Sequence, residues 1–379
     1  MWDGVVQSKV INNLFFRNLF YLLTFFWVII YVTDCEDRKT CDWGYNYLQM
    51  TSTAQPSLVR SPRFQRPRGD NDRFEMKLNP NQFIAGQKLS LENLEFLGKG
   101  GNGSVFRMLI REGELRGLIV AVKFLETLDN DERLKRFEQE IQVLQDVNHP
   151  HIIKVLDRGQ YRTAGRIIPF FVMEYQPRNL ERETRSHPRG LPPDSVLPIC
   201  LQMASALVHI HGKGVEHGDL KPANILFDGS SVKLADFGLA SLVEKSSRVR
   251  VIGEKIGPHF FLSPEQWRWW KEDSAERPGK KSDIFQLGLV FVKTVSGFNP
   301  NTVQEWEKDS LHPEPKSKLW STYSGSLVSD IVGLSRDMIE VDPSKRPDAE
   351  SVQERLLSIF RAYSSHFKAL YGVSPGREF

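Results

Sequence analysis

Within the stretch "GVEHGDLKPANILFDG" stand His217, Asp219, Lys221 and Asn224, and "VKLADFGLA" further on supplies Asp236. Asn224 and Asp236 are hard oxygen donors, the kind that Mg2+ takes when it also keeps phosphate oxygens and water. Asp219 is left as a carboxylate able to accept a proton or to orient a hydroxyl. Upstream, "LGKGGNGSVF" sets Gly98, Gly100, Gly103 and Val105 in the spacing G-x-G-x-x-G-x-V. Glycines there let backbone N–H groups approach phosphate oxygens closely and allow the turn its positive φ angles. The same spacing serves dinucleotide folds, but in those a helix follows the glycines. Here "SVFRMLI" alternates and, past "REGELRG", "LIVAVKFL" reads as a second strand.

Other elements must position these groups. Lys123 lies inside the second strand between Val122 and Phe124, where a lysine is ordinarily an exposed-face residue. In the segment that follows, Leu134, Phe137, Ile141 and Leu144 recur at helical spacing, and Glu140 shares the face of Phe137 and Leu144. A carboxylate on an inward face requires a cation, and Lys123 is the one at hand. The apolar run Ile225, Leu226, Phe227 is the strand that fixes the residues before it.

Composition narrows the field. The chain has 379 residues, 40% hydrophobic and 26% charged, which suits one or two globular domains with a real core. A formal charge of +3, with no stripe of basic and aromatic residues, argues against nucleic acid as a partner. Three cysteines, Cys35, Cys41 and Cys200, make neither a disulfide framework nor a zinc site, so a reducing compartment is expected.

The N-terminal part reads differently. Leu14 to Val32, "LFFRNLFYLLTFFWVIIYV", is close to the length that crosses a bilayer as a helix, with Arg17 and Asn18 interrupting it. It reads as a membrane anchor with Arg17 snorkelling outward, facing its folded part to the cytoplasm. A signal-peptide core and a start of the mature chain at Met50 are the alternatives, the latter leaving the protein cytoplasmic. Residues 34–90, with Arg60, Arg63, Arg66, Arg68 and Arg73, read as a disordered basic linker, then a folded domain at 91–363 and a tail at 364–379.

Taken in order, "LGKGGNGSVF", "VAVK", the inward Glu140, "HGDLKPAN", "DFG", "SPE" and "DPSKRP" resemble the eukaryotic-type protein kinase family from about Leu91 to Tyr363. The resemblance implies an α+β, two-lobed fold: a mostly antiparallel small lobe at 91–175 and a mainly helical large lobe at 176–363. It implies ATP and Mg2+ as cofactors and a protein Ser/Thr hydroxyl as acceptor, with Lys221 favouring Ser/Thr over Tyr. Lys123, paired with Glu140, would hold the α and β phosphates, and the glycine loop would cover the triphosphate. Asp219 would take the hydroxyl proton, Lys221 would meet the γ phosphate, and Asn224 with Asp236 would hold the metal. Leu97, Val105, Ala121 and Leu226 would flank adenine. The run "FFVMEYQPRNL" would be the hinge, with Met173 as gatekeeper and backbone hydrogen bonds from Glu174 and Tyr175; as a bare pattern it is equally an edge strand. Glu265 and Arg346 match the family's large-lobe ion pair. Asp283 matches the aspartate that binds the catalytic-loop backbone, a role compatible with that of an N-terminal helix cap.

Three positions depart from the family pattern. Gly218 stands where arginine is common, so a phosphate on the activation segment, for instance at Ser246 or Ser247, has no arginine there to organise the loop. Pro258 replaces a threonine, and Ser263 replaces the alanine before Pro264 and Glu265. Two rival readings follow: a pseudokinase scaffold that binds nucleotide without transfer, and a small-molecule phosphotransferase of the same fold. The stretch "ERETRSHPRGLPPD" reads as a solvated loop.

Overall fold

The alternating segments around Lys123 become neighbouring antiparallel strands. In the computed structural model, the described residues are 76–100, 103–126, 131–163, 165–228, 231–238, 241–242, 261–272, 278–297 and 325–371. The apolar stretch at 14–32, the arginine run ending at Arg73, Cys35, Cys41, Ser246, Ser247 and Pro258 lie outside them. Strands β1 (Phe83–Ala85), β2 (Ser90–Gly100), β3 (Gly103–Ile110), β4 (Ile119–Phe124), β5 (Val155–Thr163) and β6 (Arg166–Glu174) form one antiparallel sheet in the order β1-β2-β3-β4-β6-β5. Helix α1 (Asp131–Asp146) joins β4 to the second half of the sheet.

Strand period two divides the sheet into two faces. Phe106, Met108, Val120, Val122, Phe124, Phe170 and Val172 are buried in one cluster with Met76 and Ile84. Within it Phe106 meets Phe124 edge-on at 5.6 Å, and Phe124 lies 5.2 Å from Phe170. Pairing of Val105 with Lys123, Lys123 with Phe171 and Ala121 with Met173 puts those five residues on the opposite face. Helix α1 covers part of that face, with Phe137 5.3 Å from Phe171.

The rest of the chain is mainly helical: α2 (Leu180–Ser186), α3 (Pro193–Gly212), α4 (Pro264–Glu272), α5 (Lys280–Ser296), α6 (Gly325–Met338) and α7 (Ala349–Tyr371). Short strands β7 (Arg178–Asn179), β9 (Ile225–Phe227) and β10 (Val232–Leu234) make a three-stranded sheet, and β8 (Val215–Glu216) pairs with β11 (Ser241–Leu242). Every residue from Ser282 to Ser296 is buried, so α5 is the central helix, packed against α3 and α6. Among the described residues, Ser195–Gly212 of α3 is long and apolar enough to cross a membrane, yet Leu197, Leu201, Ala204 and Leu207 are fully buried in this core.

Several sequence expectations change. The linker read as reaching residue 90 gives way earlier to folded chain: Met76 and Ile84 enter the core, β1 pairs with β2, and the Met76 N–H donates to Glu126 Oε1 at 3.0 Å. Sparse apolar residues among Asn, Gln and Lys hid this. Residues 364–371, expected as the start of a tail, are helical instead, since α7 continues to Tyr371. The start of "ERETRSHPRG" is helix, not loop: Asn179 caps α2 by accepting from the Arg182 N–H at 2.9 Å, and Glu181 and Glu183 suit the first turn. Buried Lys293 of α5 adds an ion pair to Glu181 at 2.9 Å. Strand β6 lies between β4 and β5 and is no edge strand. Gly279 is the cap of α5, and Asp283 lies inside its first turn.

One buried ion pair ties α4, α5 and the turn before α7 together. The Arg346 guanidinium is fully buried and donates to both Glu265 oxygens, at 2.6 and 2.9 Å, and to the carbonyls of Glu340, Lys281 and Val341. All five of its donor hydrogens therefore have acceptors. Burial alone would raise the Glu265 carboxyl, but hydrogen bonds and charge from Arg346 hold it below its ordinary value of 4.5. Its stabilising contribution is thus complete above 4.5 and is lost as pH falls through the lower folded-state value. Glu265→Gln is expected to reduce the unfolding free energy at pH 7 by about 3 kcal/mol in urea titrations. The difference from wild type should shrink below pH 4.5; a difference independent of pH would contradict this assignment.

Candidate active site

The glycine-rich turn is built by the β2–β3 hairpin, where Gly98 pairs with Val105 and Gly100 with Gly103. A Cβ at Gly103, whose φ is +140°, would lie 1.8 Å from the carbonyl oxygen of Phe124, so no side chain fits there. Beneath the hairpin, buried Glu126 accepts from Ser104 Oγ and pairs with Lys99, a tie that sequence reading missed. Leu97 and Val105 lie on β2 and β3, Ala121 on β4, and Leu226 on β9 in the helical part. Glu174 ends β6 and Tyr175 follows it. The Glu174 N–H is committed to the carbonyl of Lys154 at 3.1 Å, while its carboxylate accepts from the Lys154 N–H and pairs with Lys233.

Lys123 meets Glu140 as expected, its Nζ 2.7 and 2.9 Å from the two carboxylate oxygens. The sequence did not disclose its second bond, to Asp236 Oδ1 at 3.0 Å. Burial opposes the lysine charge, but Asp236 and Glu140 overcome it and hold the ammonium above the usual lysine range. One cation thus links the sheet, α1 and the segment after β10. Asp236 adopts φ +65°, a left-handed conformation that Asp tolerates better than most residues and that concentrates at functional sites.

Asp219, Lys221 and Asn224 form a second cluster. Lys221 Nζ lies 2.7 Å from Asp219 Oδ2, and Asn224 Nδ2 donates to the same oxygen at 3.1 Å and to the Asp219 carbonyl at 2.8 Å. These bonds fix the Asn224 amide, with Oδ1 turned the other way, and those to the Asp219 carboxylate both fall on Oδ2. Burial raises the Asp219 carboxyl, with Lys221 opposing and Asp236 adding to the rise. For Asp236 burial also raises, but Lys123 prevails and the carboxyl is held low. Two carboxylates pushed in opposite directions suit a division between a proton acceptor and a permanently ionised metal ligand.

The loop carrying Asp219 is anchored from behind. His217 is fully buried; its Nδ1 accepts from the Asp219 N–H at 3.2 Å, its Nε2 meets the Ala235 carbonyl at 3.2 Å, and its ring packs edge-on to Phe237 at 4.7 Å. Asp283 accepts from the N–H groups of His217 and Gly218, at 2.9 and 2.8 Å, and from His211 Nε2 at 2.8 Å. Gly218 has φ +77°, a conformation that glycine takes without strain. Gln266 and Gln286 also reach this loop, and sequence reading passed over both. A signal was present for Gln266, since "SPEQ" has the Ser-x-x-Gln form of a capping box.

A family model described as "Protein kinase domain" matches residues 91–357. The serine/threonine-protein kinase pkn2 of Myxococcus xanthus is 30% identical over 298 residues, which is 74% of this chain and 33% of that protein. PknB of Mycobacterium leprae, a serine/threonine-protein kinase, is 32% identical over 208 residues, 54% of this chain and 32% of that protein. PrkC of Bacillus subtilis, also a serine/threonine-protein kinase, is 29% identical over 258 residues, 66% of this chain and 38% of that protein. The chain spans about a third of the length of these relatives. The match covers most of the chain and runs across both the antiparallel sheet and the helical core described above, and on it the chain belongs to the protein kinase domain family.

Proposed function

We propose that the protein transfers the γ phosphate of ATP to Ser or Thr hydroxyls of protein substrates, with Mg2+ as cofactor. The observation that carries this reading is the Lys123 bridge to both Glu140 and Asp236 beside the Asp219, Lys221 and Asn224 cluster. The donor set fits the metal: Asn224 has its amide oriented by Asp219, and Asp236 is kept ionised. When bound, Mg2+ neutralises charge on the β and γ phosphates. Lys123 binds the α and β phosphates, and the hairpin at Gly98, Gly100 and Gly103 presents backbone N–H groups to them. Lys221 supplies positive charge at the transferred group, and Asp219 orients the hydroxyl and accepts its proton. Little covalent work is left to the protein, so positioning and charge supply most of the catalysis.

Leu97, Val105, Ala121 and Leu226 flank adenine in this reading. With the Glu174 N–H already bonded to Lys154, Glu174 offers adenine its carbonyl, and Tyr175 adds its own backbone. The names of the relatives support a protein acceptor, and the ordered Ser263, Pro264, Glu265 segment favours that acceptor over a small molecule. Asp219→Asn is expected to lower kcat by at least about a thousandfold in a labelled-ATP assay with a generic protein substrate. Mass spectrometry should locate the label on Ser or Thr. Equal labelling by wild type and variant would overturn the enzyme reading in favour of a scaffold, and label on a metabolite would overturn the protein acceptor.

The apolar stretch at 14–32 supports membrane association with the catalytic part in the cytoplasm. The full chain should sediment with membranes in cell fractionation, and a chain begun at Met50 should not; equal solubility would remove the anchor.

A further inference from the structure

We infer that Gln266 and Gln286 are positioning residues that set the two peptide groups flanking Asp219, in place of an ordering contact made through a phosphorylated activation segment. The inference rests on the kinase reading above and concerns how that site is regulated.

Four bonds carry it. Gln286 Oε1 accepts from the Leu220 N–H at 2.9 Å, and Gln266 Nε2 donates to the Gly218 carbonyl at 2.8 Å. The residues before and after Asp219 are therefore each held by a glutamine. Gln286 Nε2 in turn donates to Gln266 Oε1 at 3.0 Å and lies 3.3 Å from the Gly218 carbonyl. Both amide orientations are dictated by backbone donors, because Gln266 Oε1 also accepts from the Ser263 N–H at 2.9 Å.

The pair is itself fixed. Gln266 is the far end of a capping box at the start of α4, its N–H donating to Ser263 Oγ at 3.2 Å. Gln286 stands one turn beyond Asp283 on buried α5, so Asp283 and Gln286 face the loop from the same side. Both glutamine side chains are buried, and a buried amide that loses one partner leaves the other unsatisfied. At Gly218, where the family commonly has arginine, the chain has a strain-free backbone and no side chain to answer a phosphate. The glutamine pair supplies the missing restraint from neutral groups, which no phosphatase can remove.

Gln286→Glu tests this. An ionised carboxylate still accepts from the Leu220 N–H, but it sets negative oxygens against Gln266 Oε1 and the Gly218 carbonyl. Protonation gives back one donor. With uniformly dephosphorylated protein, kcat at pH 8.5 should fall roughly ten- to a hundredfold while KM for ATP stays within about twofold. The ratio of variant to wild-type kcat should then rise as pH is lowered to 6. Gln286→Met, which cannot donate at any pH, should be low throughout with a flat ratio.

A wild-type kcat in Gln286→Glu, or a ratio that does not move with pH, overturns the inference. If Gln286→Glu does not fold, Gln266→Glu is read in the same way, since it keeps the Ser263 bond and loses the donor to Gly218. Loss of cooperative melting in both variants assigns the pair to folding and likewise overturns the inference. Wild-type turnover in the same assay separates the outcomes: without it the kinase reading itself falls, and with it only the role of the glutamines is at issue.

Discussion

The carboxylate of Asp283 is the point on which the site depends. It is wholly buried, and it accepts hydrogen bonds from two successive backbone N–H groups and from His211. Burial alone would raise this carboxyl, yet the bond to His211 and the charges and amides around it hold it below the ordinary aspartate range. A buried charge satisfied in this way has one low-energy arrangement, and the loop is part of that arrangement. Because Asp283 sits on a helix buried on every side, the loop inherits the rigidity of the large-lobe core.

The chemistry follows from what the two halves contribute across that loop. The sheet brings Lys123 on a face separate from its aromatic core, and the helical part brings Asp219, Asn224 and Asp236. Lys123 is where they meet, bonded to a carboxylate of α1 and to another beyond β10. Burial raises both the Asp219 and Asp236 carboxyls, but Lys123 lies on Asp236 and brings it below its ordinary value, whereas Asp219, despite Lys221, stays raised and also feels the negative charge of Asp236. One cation placed by strand register therefore sets the Asp236 carboxyl apart from its neighbour Asp219.

Much of this was legible in the sequence. The Lys123 and Glu140 pair followed from one inward carboxylate on a helix and one lysine in an apolar strand, and the α+β division was implied by the family resemblance that the ordered motifs carry. Positions whose meaning depends on distant partners were not legible. Met76 and Ile84 lie among polar residues, and only the facing sheet reveals that they are core. Asp236 bonding to Lys123 spans the two halves, a contact that no local period encodes. Gln286 looks like an ordinary polar residue in an apolar helix until the loop it holds is in place. Gly218 was visible as a departure, but what replaces its side chain was not.

The central claim is that the loop bearing Asp219 is set by buried neutral and carboxylate groups of α4 and α5, without phosphate. Its most direct test is the initial rate of phosphate transfer by the full chain before and after complete dephosphorylation, verified by mass spectrometry. The account predicts rates equal within about twofold. A loss of about tenfold or more, restored on rephosphorylation, would contradict it.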